Sequence, residues 1–371
     1  MIDEDAHTGT TTLCRLTLAA LAVVTLLAGG CASAPPPPEE KKMVWPPPPL
    51  PPRIEFVRNI TSMDDLKKDT TFSQGLVAFL AGEKIPEGRI AQPMSLAISD
   101  DAQRLYVSDP LQHRVFTFDF AAKTLGQLEA VNFPSGIALD EQENLYVVDT
   151  VGKLVSVFDR TGKHLRDIND GTLVRPNGIA IDRVHDRVYV VDTGDKDSPE
   201  QNVKIYTKAG ARIGAIGAAP GGEFGQFSYP TMATVDKDGN LYISDTLNAR
   251  VQKFDAKGNF QMSYGKLGSS WGEFDKPKGV AVDSFGNIYV VDTGWSNVQI
   301  FNQKGQILLF FGGRGPVPGM MKNPIAIAID RNNLIYIGDY LNHRVGVYRL
   351  VNTTAEDSNV AAGPPNPSGT K

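Results

Sequence analysis

The chain has 371 residues, of which 37 are Lys or Arg, 42 are Asp or Glu and 5 are His, giving a formal net charge of −5. Its hydrophobic fraction of 41% is typical of a packed core rather than of a disordered chain. The negative charge argues against binding to nucleic acid through the overall field, and two cysteines exclude a disulfide scaffold and an all-cysteine metal site.

Near the N-terminus, residues 16–28 form an uncharged apolar run, LTLAALAVVTLLA. The run is shorter than the about 20 residues that span a bilayer, and it has the length of the apolar core of a signal peptide. It leads into LLAGGC, which resembles the lipobox of bacterial lipoproteins. The resemblance implies removal of residues 1–30 and lipidation of Cys31 at the cell envelope. Because Ala32 follows the cysteine, the periplasmic side of the outer membrane or the cell surface is expected rather than the inner membrane.

The next segment, residues 31–53, contains proline runs at 35–38 and 46–49. Such runs cannot form a helix or a central strand, so an extended polyproline tether is predicted. At about 3.1 Å per residue, about 22 residues would hold a domain some 60–70 Å from its anchor. Proline runs also bind partner domains in other proteins, but the position beside a lipidation site favours a tether.

Six copies of one unit follow, each with a Pro, a small apolar run, an Asp, an apolar-Tyr-apolar run and a second Asp. Unit four, PTMATVDKDGNLYISD, occupies residues 230–245, and unit five, PKGVAVDSFGNIYVVD, occupies residues 277–292. The units begin at Pro93, Pro134, Pro176, Pro230, Pro277 and Pro324. Their spacing of 41 to 54 residues is typical of a propeller in which each repeat forms a four-stranded blade.

The pattern within each unit predicts four strands. The first is small and β-branched, which suits a crowded position at the centre of a ring. An Asp-Gly-Asn turn such as 238–240 leads to the second strand, the third strand alternates, and a Lys-Gly turn such as 257–258 opens the fourth. The sequence therefore predicts an all-β fold, a six-bladed β-propeller with four-stranded blades.

The pattern P-x-G-I-A-V-D…G-N-I-Y-V-x-D-T…R-V-Q-x-F resembles the NHL repeat over about residues 54–350. NHL domains are six-bladed propellers, which agrees with the number of units. Some NHL domains bind RNA, whereas NHL-like amidating lyases and gluconolactonase-like propellers hold a metal. The resemblance therefore implies the fold and leaves both a binding role and metal-dependent chemistry open.

The two ends of the repeat region predict how the ring closes. Unit six ends near residue 350 without a fourth strand, while residues 54–60, IEFVRNI, form a spare apolar strand. Pairing of the two would complete blade six and remove an exposed sheet edge. The propeller is therefore predicted over residues 54–350, with a short amphipathic helix at 75–80 before blade one. The polar tail, residues 351–371, is predicted to be disordered.

One face of the predicted propeller carries the loops between second and third strands and the connections between blades. In five units the aromatic residue of the third strand lies nine positions after the second Asp, whereas in unit three Tyr206 lies 14 positions after Asp192. The insertion is acidic, and two tryptophans fall in loops of the same face. Loops on a rigid scaffold are where binding usually occurs. The candidate binding residues are Asp195, Asp197, Glu200, Trp271 and Trp295.

Each candidate has a structural alternative. The acidic insertion offers the oxygen ligands that Ca²⁺ prefers, or it is a solvated loop. For Trp295, one interpretation is an anchor for a ligand or partner, and the alternative is packing on a neighbouring blade. The Asp that ends each second strand recurs in every unit, which indicates a residue that holds a turn rather than a catalyst. His113 and His343 lie in a repeated L-x-H-R-V, so a repeat role is expected, and no histidine cluster for zinc falls on one face.

No G-x-S-x-G or P-loop pattern is present. The sequence therefore favours a non-enzymatic module: an exported, lipid-anchored, monomeric propeller that presents one face to an envelope protein or a glycan. No cofactor, metal or nucleic-acid partner is predicted. The competing hypothesis is a metal-dependent hydrolase or lyase, gluconolactonase-like or amidating-lyase-like, with its site at the central channel. Acidic, Asn or His ligands clustered at the channel mouth would distinguish the two.

Overall fold

The protein forms six antiparallel sheets arranged as the blades of a β-propeller, which confirms the predicted fold. The computed structural model describes residues 42–67, 88–129, 131–195, 200–217, 219–354 and 356–357. The predicted signal peptide, Cys31, the predicted helix at 75–80 and Asp197 lie outside these residues. In the described part of the chain, no helix has both the length and the apolar character needed to cross a membrane.

Two strands and a short helix precede the first repeat: β1 (Val44–Trp45), β2 (Ile54–Ile60) and α1 (Asp64–Lys67). Blade one contains β3 (Ser95–Ile98), β4 (Arg104–Asp109), β5 (Arg114–Asp119) and β6 (Thr124–Leu128). Blade two contains β7 (Pro134–Leu139), β8 (Leu145–Asp149), β9 (Leu154–Phe158) and β10 (His164–Ile168). Blade three contains β11 (Pro176–Asp182), β12 (Arg187–Asp192), β13 (Asn202–Thr207) and β14 (Arg212–Ile216).

The second half of the ring repeats this arrangement. Blade four contains β15 (Pro230–Val235), β16 (Leu241–Asp245), β17 (Arg250–Phe254) and β18 (Phe260–Tyr264). Blade five contains β19 (Pro277–Val282), β20 (Ile288–Asp292), β21 (Asn297–Phe301) and β22 (Ile307–Gly312). Blade six contains β23 (Pro324–Ile329), β24 (Leu334–Asp339) and β25 (Arg344–Leu350), and it is completed by β2 and β1.

The core lies between blades rather than in one central mass. The innermost strands contact one another in sequence around the ring, and β23 contacts β3 to close it. A hydrophobic cluster fills the space between each pair of neighbouring blades. Tyr289 of blade five and Ile337 of blade six, for example, are both buried in one such cluster. Each fully buried large side chain contributes about 1.5–3 kcal/mol to stability, so every blade depends on both neighbours.

Glycine in the P-x-G segment has a steric reason. A Cβ added to Gly178 would lie 2.4 Å from the carbonyl oxygen of Thr231 in the innermost strand of the next blade. The same close approach, at 2.5 Å, occurs between Gly136 and the carbonyl oxygen of Asn177. Neighbouring innermost strands therefore meet backbone to backbone near one end of the channel, where a side chain does not fit.

The closing strand forms as predicted. β2 pairs antiparallel with β25, from Ile54 opposite Leu350 to Ile60 opposite Val345. The side chains of Ile54 and Ile60 are fully buried. Blade six thus joins the two ends of the repeat region and satisfies the backbone groups that β25 would otherwise expose.

The end of the predicted tether belongs to the propeller, which the sequence did not predict. β1 pairs with β2 and adds a fifth strand to blade six. The Trp45 side chain packs in the cluster between blades five and six. Proline does not prevent this arrangement, because a two-residue edge strand needs few backbone donors. At the other end, the guanidinium of Arg53 pairs with the carboxylate of Asp357 at 3.0 Å, so the start of the predicted tail also contacts the domain.

Candidate binding face and channel mouth

We use the term variable face for the side of the ring that carries the loops between second and third strands and the connections between blades. Buried aspartates hold these connections. Asp192, for example, accepts hydrogen bonds from the backbone N–H groups of Val174 at 2.9 Å and Arg175 at 2.7 Å. Such bonds satisfy backbone donors that precede the next strand. The equivalent residues are Asp109, Asp149, Asp192, Asp245, Asp292 and Asp339. The predicted turn-holding role is confirmed.

The threonine that follows the aspartate links one blade to the next. Thr193 donates its hydroxyl hydrogen to the carbonyl oxygen of Pro230 at 2.7 Å, across the boundary between blades three and four. Thr150, Thr246 and Thr293 make the same bond. The D-T pair therefore fixes the rim of the channel through buried hydrogen bonds, and its repetition needs no catalytic explanation.

Two histidines of this face also have structural partners. The His113 ring donates from Nδ1 to the carbonyl oxygen of Asn132, and the His343 ring does so to that of Ala91. In both cases the acceptor lies in the connection that enters the next blade. The repeat role predicted for these histidines is confirmed.

The acidic insertion of blade three lies beside the connection that enters blade four. Glu200 accepts a hydrogen bond from the side-chain amide of Asn202 at 2.9 Å, and Asp195 is exposed. The side-chain oxygen of Gln201 accepts from the backbone N–H of Tyr229 at 2.6 Å. No group of three acidic, His or Cys residues that could hold a metal occurs among the described residues. Asp197 lies outside them, so calcium binding by this loop stays a prediction.

Both candidate tryptophans contact the protein and remain exposed. The Trp295 indole N–H donates to the carbonyl oxygen of Gly268 at 3.0 Å, and 45% of the residue is exposed. Trp271 sets an edge against the ring of Phe310, with centroids 4.9 Å apart, and 38% of it is exposed. Each ring is thus held in one position by the scaffold while it presents apolar surface to solvent.

The tryptophans belong to a larger set of exposed apolar side chains. Fourteen large apolar residues are substantially exposed in the described part of the chain, and nine of them belong to the loops and connections of the variable face. The nine are Leu111, Val151, Phe224, Leu247, Leu267, Trp271, Trp295, Val317 and Leu341. Among the described residues, the corresponding set on the opposite face is Val184, in the turn between β11 and β12, and Leu50, in the segment that leads into β2. Exposed apolar residues are therefore concentrated on one side of the ring.

At the centre of the variable face, a cavity of about 250 Å³ opens at the channel mouth. Its apolar wall is formed by side chains from several blades: Met94, Phe133, Val151, Tyr229, Met232 and Ile325. Its polar groups are Thr150, Asn177, Thr231, Arg175 and Lys278. A second cavity of about 280 Å³ follows the innermost strands along the channel and shares with the first, among its lining residues, Met232.

The two cations distinguish this mouth. Lys278 follows Pro277 at the start of β19 and is half-buried, and burial together with the nearby charge of Lys276 lowers the pKa of its ammonium group. Arg175 lies over the ring of Tyr229, with its Cζ 5.4 Å from the ring centroid. Within the described residues, neither side chain has a hydrogen-bonded or ion-paired acidic partner. The mouth is therefore positive although the whole chain is negative.

A metal of the kind held by gluconolactonase-like propellers does not fit this mouth. Among the described residues, its polar lining groups are hydroxyls, one amide and two cations, without a carboxylate or an imidazole. Hard divalent cations prefer carboxylate and carbonyl oxygens, and two positive side chains oppose the entry of a third positive charge.

The sequence reasoning missed the mouth residues. The position after the first Pro lines the mouth in five of the six units, and the residue there varies: Met94, Asn177, Thr231, Lys278 and Ile325. The signal that marks Lys278 is that it is the one basic residue among these five equivalent positions. Arg175 gives no comparable signal, because the residue before Pro lies in a connection whose path the sequence does not fix.

Comparison with known proteins supports the fold and leaves activity open. A family model described as "Beta-propeller repeat" matches residues 268–302. "Protein brain tumor" of Drosophila melanogaster is 29% identical over 137 residues, which are 36% of this chain and 12% of that protein. A probable peptidyl-alpha-hydroxyglycine alpha-amidating lyase of Caenorhabditis elegans is 32% identical over 110 residues, 29% of this chain and 30% of that protein. The chain thus spans under a third of the length of each of these curated relatives.

Among solved structures, a gluconolactonase of Xanthomonas campestris superposes with a TM-score of 0.55. The two chains are 17% identical, and the match covers 80% of this chain and 98% of the other. A likeness at that identity shows the propeller fold alone. The functional interpretation therefore depends on this chain's own variable face and channel mouth.

Proposed function

We propose that the chain is an exported, lipid-anchored binding module without enzymatic activity, whose variable face docks onto a protein of the cell envelope. The observation that carries the proposal is that nine of the fourteen large apolar side chains exposed in the described part of the chain belong to the loops and connections of that face. Contiguous or clustered exposed apolar surface on a soluble domain marks an interaction site more often than chance exposure does. The opposite face, where the exposed large apolar residues among those described are Val184 and Leu50, supplies the internal comparison.

The chemistry of the face favours a protein partner over a glycan. Leu, Val and Phe gain most from burial against another apolar surface, and Trp271 and Trp295 are of the type that anchors protein interfaces. The side chains come from loops of several blades, so their footprint extends across the ring. That breadth suits a protein interface better than a pocket for one sugar.

The anchor in this proposal is Cys31, on the basis of LLAGGC. Because residues 42–53 pack on blade six or lie beside it, the tether proposed from the sequence shortens to residues 31–41, which lie outside the described residues. Eleven extended residues at about 3.1 Å each reach about 34 Å, about half the distance expected for a tether that ends at residue 53. The proposed module therefore works close to its membrane.

The competing hypothesis, a metal-dependent hydrolase or lyase, is compatible with the fold. Relatives and structural neighbours named as an amidating lyase and a gluconolactonase share the propeller. The positive, carboxylate-free lining of the channel mouth is the observation that favours binding over that chemistry in this chain.

The experiment is site-specific photo-crosslinking in intact cells of the source species. A photoreactive residue replaces Leu247 or Leu267 on the variable face, which are 63% and 73% exposed, and in a matched control it replaces Val184 on the opposite face, which is 59% exposed. We expect a discrete protein adduct from both variable-face positions and none from Val184. Adducts from all three positions, or from none, would contradict the proposed docking face.

A further inference from the structure

The channel mouth combines a small cavity with two cations and an apolar wall, and the proposed docking of a protein does not use it. Its volume is about 250 Å³, below the about 300–1,000 Å³ of pockets for drug-sized ligands. A cavity of that size accepts a small molecule. Inorganic ions would leave the wall of Met94, Phe133 and Ile325 uncovered, so the lining favours a ligand with an apolar body.

Lys278 is an unusual element of that lining. A lysine partly removed from water normally has a carboxylate or several oxygen acceptors near its ammonium group. No described residue supplies an ion pair or a hydrogen bond to Lys278, and Lys276 adds a like charge. Both effects lower the pKa of Lys278, and both would be relieved by an anion in the cavity.

Arg175 lines the same cavity as Lys278. Its guanidinium lies over the ring of Tyr229, which leaves the N–H groups at its edge available for bonds in the plane. Tyr229 itself has a φ of +57°, in the left-handed region that a bulky residue before proline rarely adopts. The bond from its N–H to Gln201 stabilises this conformation. Backbone strain of this kind often marks a ligand site.

We propose that the channel mouth binds a small organic anion, with its carboxylate or phosphate bound by Lys278 and Arg175 and its apolar body against Met94, Phe133 and Ile325. In this arrangement two charge-assisted hydrogen bonds orient the charged group of the ligand, and the apolar wall covers the rest of it. Small-molecule sites usually have this composition. This inference goes beyond the proposed docking function, and neither depends on the other.

The test uses purified protein from Lys42 to the C-terminus, the part that contains the described domain, and three probes of similar shape: phenylacetate, phenyl phosphate and the neutral phenylacetamide. Titration followed by NMR should show saturable binding of at least one anion in the millimolar range or tighter. Phenylacetamide should bind at least about tenfold more weakly than phenylacetate, because it lacks the charge that Lys278 and Arg175 recognise. Binding of the anion should weaken as salt is raised.

The variants assign the effect to the site. Lys278→Met keeps the length of the side chain and removes the charge, and it should weaken anion binding about tenfold or more. Lys237→Met, on an exposed lysine of the opposite face, should leave it unchanged. If Lys278→Met does not fold, the affinity of Arg175→Gln for the anion is measured instead, and it should also be lower than that of the parent. Arg175 is exposed, so its replacement should not affect folding. Failure of both anions to bind, equal binding of phenylacetamide, or equal affinities of the Lys278→Met and Lys237→Met variants would each overturn the proposal. None of these results affects the crosslinking experiment on the docking face.

Discussion

The indole ring of Trp45 lies 6.0 Å from the ring of Tyr348, centroid to centroid, at an interplanar angle of 56°. Trp45 precedes the repeats and Tyr348 ends them, so the contact joins the two ends of the propeller beyond the β2–β25 pairing. Phe311 of blade five completes the group, with its centroid 5.9 Å from that of Trp45. Residues 42–53 are therefore part of the folded domain.

Trp45→Ala tests this contact. The residue is 8% exposed, so its truncation should lower the free energy of unfolding by about 3 kcal/mol, as for other buried large side chains. Leu50→Ala is the matched control in the same segment, because Leu50 is 56% exposed and should change stability by less than about 0.5 kcal/mol. Urea unfolding monitored by circular dichroism measures both. Equal stabilities of the two variants would show that the segment is a tether.

Gly178→Ala tests the contact between innermost strands. An added Cβ meets the Thr231 carbonyl oxygen at 2.4 Å, and this backbone can move only if blade four moves. We expect a loss of about 1–3 kcal/mol or more from this overpacking. Gly214→Ala in β14 of the same blade is the control, because its nearest neighbour is a side-chain atom 3.7 Å away and its φ is not positive. Thermal unfolding should separate the two variants clearly, and a neutral Gly178→Ala would mean that the strands lie further apart.

Lys278 should make stability depend on pH in a defined direction. Its pKa is lower in the folded state than in the unfolded chain, so the unfolded state binds more protons between the two values. The destabilisation is therefore fully present below the folded pKa, and it decreases as pH rises through the folded pKa toward the unfolded value of about 10.4. Lys278→Met should be more stable than the parent at pH 7, with a smaller difference at pH 10. The free energies of unfolding of the parent and of Lys278→Met are measured at each pH, and their difference removes the contribution of the groups that both proteins share. If the advantage of the variant grew as pH rises, it would contradict this environment for Lys278.

The sequence predicted the features that repeat and missed those that do not. Six Pro-to-Asp units predict six blades, and the apolar residues of 54–60, left over before the first unit, predict the strand that completes blade six. β1 was missed because its two residues lie among prolines, where no alternation can be seen. Lys278 was missed because its importance depends on which strand ends converge at the channel. The exposure of Leu247 and Leu267 depends on loop paths, which local sequence does not determine.

Lipidation of Cys31 is a prediction from LLAGGC alone, since the residue lies outside the described part of the chain. Cys31→Ser should shift the protein from the membrane fraction to the soluble fraction of lysed cells, because it removes the acceptor of the lipid. The measured mass of the mature parent protein should equal that of a chain that starts at Cys31, increased by the mass of the acyl chains. A Cys31→Ser protein that stays with the membrane to the same extent as the parent would rule out this anchor.

Closure of the ring by β2 can be tested by graded truncation. A chain that starts at Lys42 keeps every described contact of blade six and should unfold at the same temperature as the full mature chain. A chain that starts at Met63 lacks β1 and β2, so it loses the buried side chains of Ile54 and Ile60 and exposes Val345 and Val347 beside an unpaired edge. Each buried aliphatic side chain contributes about 1.5–3 kcal/mol and each ladder hydrogen bond about 0.5–1.5 kcal/mol, so the loss approaches the whole stability of a typical domain, about 5–15 kcal/mol.

We expect the shorter chain to aggregate, because an open, apolar sheet edge pairs with other chains. Size-exclusion chromatography and thermal unfolding of the two chains distinguish the outcomes, and a monomeric Met63 chain of unchanged melting temperature would contradict the observed closure.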